Sequence, residues 1–210
     1  NLTIKPVDWA ANPQPKAAGQ VLVCDERLAA PVTPGQLNPI NARPLLKSLN
    51  HAIDRCLTGY CDALVTGPMQ KSVVNDAGIP FSGHTEHLME HCDVNQVVMM
   101  LAHDQMRVVL ATTHIPIRDV ADAITWDLLD RVIDITSESL KSDFQCPEPK
   151  LMVLGLNPHA GESGHIGREE RDVIEPCLTR WREKGLDIVG PLPADTAFQP
   201  HLLEQCDAVL

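Results

Sequence analysis

Four stretches constrain this chain more than any other feature: "QVVMMLAHDQMRVVLATTH" (96–114), "KLMVLGLNPH" (150–159), "LDIVGPLPAD" (186–195) and "CDAVL" (206–210). Their apolar residues come in unbroken runs, not in alternation with polar ones, which is the signature of strands covered on both faces. The first stretch holds two such runs around a polar turn and predicts an antiparallel hairpin. Between the runs lie helical periodicities. "WDLLDRVIDITSESLKS" places Leu128, Leu129, Val132, Ile133 and Leu140 on one face, with Thr125 positioned to cap it. "REERDVIEPCLTRWREKG" carries acids in its first half and Gly185 at its end. Strands that need helices on both sides predict an α/β fold with a mixed sheet.

Upstream, "AANPQPKAAGQ" reads as loop and "QVLVC" as a short strand. A helix is predicted over Asn41 to Leu57 from the spacing of Leu45, Leu46, Leu49, Ile53 and Leu57. "CDALVTGP" (61–68) predicts a buried strand ended by Gly67-Pro68, and "MQKSVVNDAG" a short helix closed by Gly78. With 210 residues, the chain can form one sizeable domain or two lobes. A net charge of −11 argues against nucleic acid as a partner, because phosphate backbones are held by an excess of Lys and Arg. No apolar run reaches membrane-spanning length. Seven scattered cysteines without a CxxC pair suit reduced thiols and a cytoplasmic location better than a disulfide framework.

The chemistry must be sought among nine histidines. His51, His103 and His201 have no supporting neighbours and read as surface or packing residues. His87, Glu90 and His91 match the H-x-x-E-H pattern of a zinc hydrolase, two imidazoles one helical turn apart with a carboxylate as base. The pattern has only three fixed positions, and a solvated polar helix face gives the same letters. His84 and Thr85 follow Gly83 at a helix start, where backbone N–H groups, a hydroxyl and an imidazole can meet an anion. His114 and His159 each stand just past an apolar strand, the place where open α/β sheets take their ligands. Two imidazoles there can serve a metal but do not complete a site, and two unrelated loop histidines would look the same. Neither a Walker loop, a G-x-G-x-x-G nor a G-x-S-x-G occurs.

"ALVTGPMQKSVVNDAGIPFSGHTEHL", "ATTHIPIRDVADAIT", "LGLNPHAGESGHIGREE" and "GPLPADTAF" resemble, in this order, motifs of the 4-hydroxythreonine-4-phosphate dehydrogenase family. The resemblance runs from about Ala30 to Leu210. It implies a metal-dependent β-decarboxylating dehydrogenase with the isocitrate/isopropylmalate dehydrogenase-like fold, a three-layer α/β/α arrangement with a mixed sheet in two lobes. Residues 1–82 and 83–210 would then belong to the first and second lobes. That fold lacks the Rossmann glycine fingerprint, which accounts for its absence.

By position, the resemblance makes His114 and His159 two of three metal-binding histidines, and His84 and Thr85 substrate contacts. Asp195 is its candidate for a catalytic role beside the metal. Lys71 and Arg168 fall in matching motifs, although structural pairing explains them equally well. The cofactors implied are NAD or NADP and a divalent metal, Zn, Mg or Co. The implied partners are a small phosphorylated hydroxy-amino acid and a second copy of the chain in a homodimer. The implied reaction converts 4-phosphooxy-L-threonine to 3-amino-1-hydroxyacetone phosphate for pyridoxal phosphate synthesis. Relatives of the same fold oxidise 4-phospho-D-threonate, D-erythronate or aromatic dihydrodiols, and the motifs do not separate these.

The family's opening Pro-Gly-Glu-Pro-Ala-Gly-Ile-Gly segment has no counterpart here, and its third metal histidine would fall after Leu210. The chain is therefore expected to be a fragment lacking both ends. We expect the 210-residue polypeptide alone to give no turnover; an NADH absorbance assay on it should stay flat, and a measurable rate would contradict this.

Overall fold

A computed structural model describes residues 2–11 and 17–210. The chain forms two compact units, residues 1–95 and 96–210. The division falls after Asn95.

The first unit carries a parallel strand pair, β1 (Thr3–Val7) and β2 (Gln20–Cys24), in register from Thr3↔Gln20 to Val7↔Cys24. The loop expected between them falls largely on residues 12–16, outside the described residues. Helix α1 spans Ala42–Leu57, as its apolar spacing predicts, and buries Leu46, Leu49 and Ile53. Asn41, itself buried, fixes the entry to α1: its side chain accepts from Ala30 N–H (2.8 Å) and donates to Ala30 C=O (3.0 Å). Helix α2 (Lys71–Asp76) ends before Gly78, whose φ of +75° is the left-handed conformation that closes a helix. Helix α3 spans His84–His91. Ala42, Leu46, Val73, Val74 and Phe81 form this unit's core.

The strand expected over Cys61–Pro68 does not form, and Val65 is 93% exposed. An apolar run becomes a strand only when another strand takes its N–H and C=O groups. None of the described residues pairs with this one.

The second unit is built on a five-stranded sheet. Strands β3 (Met99–His103) and β4 (Met106–Leu110) form the expected antiparallel hairpin. The short helix α4 (Val120–Ala123) precedes α5 (Trp126–Ser142), which is capped by the Thr125 hydroxyl accepting from Leu128 N–H (3.2 Å). Then come β5 (Lys150–Leu154), α6 (Glu175–Glu183), β6 (Asp187–Leu192), α7 (Ala194–Ala197), α8 (Pro200–Leu203) and β7 (Ala208–Val209). The order across the sheet is β3-β4-β7-β5-β6, and every pairing beyond the hairpin is parallel.

Because successive side chains point to opposite faces, β5 serves two cores. Leu151 and Val153 pack with Leu129, Val132, Ile133 and Leu140 of α5 and Cys177, Leu178 and Trp181 of α6. Met152 faces the other way, into Ala197, Leu202 and Leu203 of α7 and α8. Helices on both faces make this the α/β/α arrangement expected, with a mixed sheet.

The helix expected across 168–185 is continuous but irregular. Pro176 has no N–H to give to the carbonyl one turn back, so the ladder widens at Glu170–Ile174, where Glu175 N–H reaches Glu170 C=O across a π-type turn.

Burial ranks the losses that substitutions should cause. Ile133→Ala empties a fully buried position and is expected to cost about 2–5 kcal/mol. Thr125→Ala removes only a cap and should cost about 1 kcal/mol. Urea denaturation of the two variants would test the order.

Candidate functional site

The segment after β5 departs furthest from ordinary backbone. From His159 through Ser163 φ is 50°, 52°, 77°, 45° and 58°, a left-handed run in which only Gly161 is glycine. Each non-glycine residue held this way costs about 1–2 kcal/mol, so something must hold the turn in place. The partner is Glu170. Its carboxylate, buried with the residue 4% exposed, accepts from Asn157 N–H at Oε1 (2.6 Å) and from Asn157 Nδ2 at Oε2 (2.9 Å). The same Asn157 amide donates to Glu169 (2.7 Å). That bond, after one from Glu169's own backbone N–H, holds the Glu169 carboxyl below the usual carboxylate range.

Glycines allow the turn to close on these acids. A Cβ at Gly155 would lie 2.6 Å from Ala160 Cα, and one at Gly161 would lie 2.5 Å from Glu170 Oε2. Pro158 holds Asn157 extended (φ −89°, ψ 157°), so the chain leaves the strand straight before it coils left-handed.

His159 sits at the start of that coil, with its imidazole 62% exposed and Nδ1 3.1 Å from Glu162 Oε2. The Glu162 hydrogen bond and charge raise its pKa, and Asp195 adds to the rise, which places the Asp195 carboxylate in the same electrostatic neighbourhood. With Nδ1–H donating to Glu162, neutral His159 keeps its lone pair on Nε2, the state in which an imidazole binds a metal.

His114, beyond β4, also has a left-handed backbone (φ 56°) and is exposed. Strands β4 and β5 flank β7 in the sheet, so their carboxyl ends lie about 10 Å apart, two interstrand spacings. Among the described residues no group of three His, Cys, Asp or Glu lies close enough to hold a metal ion.

In the first unit, His84 and Thr85 begin α3 behind Gly83, and no side chain caps that end. The N–H groups of its first turn are therefore open to a ligand. The Lys71 ammonium lies close by, 3.2 Å from where a Gly83 Cβ would be, beside Glu86. Arg168 pairs with Asp172 one turn on (3.0 Å).

The zinc-hydrolase pattern is not what α3 builds. His87 Nε2 bonds Asn50 Oδ1 (2.6 Å) and His91 Nε2 bonds Asp54 Oδ1 (2.7 Å), two rungs one turn apart that tie α3 to α1. Burial, and then the neighbouring His91 and His84, push the His87 pKa down against the opposing pull of Glu90. Asn157, Glu162 and Glu170 escape a reading of the sequence. The cluster of glycines after Asn-Pro signals a turn packed on itself, but nothing in "REE" tells the buried acid from its neighbours.

A mixed sheet with imidazoles displayed beyond the carboxyl ends of β4 and β5 defines an α/β protein of the type that takes small ligands at strand ends. Along residues 1–210 the chain matches the family described as "Pyridoxal phosphate biosynthetic protein PdxA", and it belongs to that family. It is 54% identical, over all 210 residues, to a Pseudomonas aeruginosa protein named 4-hydroxythreonine-4-phosphate dehydrogenase, and covers 64% of that relative. The crystal structure of 4-hydroxythreonine-4-phosphate dehydrogenase from Klebsiella pneumoniae superposes with a TM-score of 0.88 at 29% identity, over 99% of this chain and 63% of that one. A terephthalate 1,2-cis-dihydrodiol dehydrogenase from Burkholderia xenovorans gives 0.65 at 25% identity, over 99% and 63%. The chain thus spans just under two thirds of the length of these relatives.

The lowered His87 pKa has a consequence for stability. Above the unfolded value near 6.5 both states are neutral and stability is full. As pH falls below it, the unfolded chain takes up a proton that the folded chain resists, and stability is lost until the folded value is passed. Urea unfolding at about pH 7.5 and about pH 5.5 should show a smaller acid-induced loss in His87→Gln than in the unaltered protein.

Proposed function

We propose that the protein carrying this chain is an NAD(P)-dependent oxidative decarboxylase. It would convert 4-phosphooxy-L-threonine to 3-amino-1-hydroxyacetone phosphate on the route to pyridoxal phosphate. The 54% identity along the whole chain to a relative named for that dehydrogenase activity carries the proposal. A bound nicotinamide would supply the hydride acceptor for oxidation of a secondary alcohol, and the resulting β-keto acid would lose CO2.

The donor set suits a divalent cation. His159 has one ring nitrogen held by a carboxylate and the other free, His114 is displayed two strands away, and Asp195 adds negative charge beside His159. His114 and His159 would hold the ion with a third histidine beyond Leu210; imidazoles favour Zn or Co, and Mg is the alternative where carboxylates and water complete the shell. When bound, the ion polarises the substrate hydroxyl and stabilises the negative charge that decarboxylation leaves on the carbonyl oxygen.

This chain's own residues would bind and orient. Thr85 and His84 offer a hydroxyl and an imidazole at the open start of α3, and its free N–H groups favour an anionic part of the substrate. Asp195 would add negative charge favouring a cation at His159. The same reading makes the protein a cytoplasmic homodimer.

The test is NADH formation by the full-length gene product with Zn2+ or Mg2+, offering 4-phosphooxy-L-threonine and 4-phospho-D-threonate side by side. We expect the first to be preferred, and His159→Ala to lower the rate by about a hundredfold or more, the scale on which fixed electrostatic stabilisation acts. Preference for 4-phospho-D-threonate would overturn the substrate assignment.

A further inference from the structure

We propose that Glu170 is a positioning residue for His159: it touches neither metal nor substrate, but clamps the turn that sets the direction of the imidazole. The inference rests on the reading of His159 as a metal ligand.

Among the described residues Glu170 is the one charged side chain that is fully buried. No Lys, Arg or His among them lies within ion-pair distance of it. A buried carboxylate without a cation is costly, and a neutral side chain of the same shape would fill the space more favourably. What the charge does here is accept two hydrogen bonds from a single residue, Asn157, which is separated from His159 only by Pro158.

The two carboxylate oxygens also leave no room for a side chain on either side of His159. A Cβ at Gly155, before the histidine, would come within 3.2 Å of Oε1, and one at Gly161, after it, within 2.5 Å of Oε2. Gly161 lies in the middle of the left-handed run His159–Ser163, whose backbone would relax if released. Glu170 itself is anchored from behind, at the start of the wide π-type turn leading into α6. The line of action runs from the helix to Glu170, to Asn157, and then to His159.

Glu170→Gln is the informative substitution. Asn157 presents two donors, and a glutamine meets them with one oxygen and one NH2, so one hydrogen bond is lost with little change of shape. In the full-length gene product, titration with Co2+ should show affinity weakened about tenfold, on the scale seen when the support of a metal ligand is removed. The visible absorption of the Co2+-saturated protein should change as well, because the ligand is displaced.

Ile133→Val serves as a core variant that loses stability on α5 without removing any hydrogen bond to the turn. It should leave both Co2+ readouts at their original values. If Glu170→Gln and Ile133→Val weaken Co2+ equally, or if Glu170→Gln leaves affinity and spectrum unchanged while His159→Ala abolishes binding, Glu170 has no positioning role and the metal reading stands. If His159→Ala leaves Co2+ affinity intact, the metal reading itself fails and this inference with it. Should Glu170→Gln not fold, Glu170→Asp keeps the charge on a shorter arm. It is then expected to weaken Co2+ by a smaller factor, and unchanged affinity in it would overturn the proposal.

Discussion

Strand β5 is the element on which the second unit depends. Leu151, Met152 and Val153 are all buried, on alternating sides, so the strand demands an apolar layer above and another below the sheet. Helices α5 and α6 supply one, and α7 and α8 the other. That double burial also dictates where chemistry can occur. Between Lys150 at its exposed amino end and Gly155, where the chain turns, the middle of β5 has no free surface. His159 lies just past the strand's carboxyl end, where open α/β sheets take their ligands.

Much of this is legible in the amino-acid sequence, and the reasons for success and failure are physical. Helix α5 reads correctly because its apolar stripe and its threonine cap are local properties of consecutive residues. The hairpin of β3 and β4 reads correctly because its turn is short and both partners lie in one stretch of chain. Cys61–Pro68 has the same apolar letters, yet it forms no strand. Pairing is a relation between segments, and a segment's own composition cannot report whether a partner is present.

The site divides along the same line. The position of His114 and His159 past strand ends is visible from the pattern, but their shared left-handed backbone is not. The H-x-x-E-H letters suggest a metal pair until Asn50 and Asp54, far away in sequence on α1, are seen to take both imidazoles. Glu170 is the clearest failure. Its neighbours Glu169 and Arg171 are equally charged, and only the packing of the turn decides which of them goes inside.

Charge separates the tasks that the proposed chemistry requires. Around His159 the second unit gathers Glu162 and Asp195, with Glu169 and Glu170 just behind, in a chain whose net charge is already −11. Such a field attracts cations and repels a phosphate dianion. Groups of the opposite kind suit an anion. The first unit has them at the start of α3, where uncapped N–H groups and the Lys71 ammonium stand together near His84 and Thr85. The acids that prepare a metal site would thus spoil it as a phosphate site. The two kinds of charge therefore stand on different elements, acids beside His159 and an uncapped helix start with Lys71 at α3.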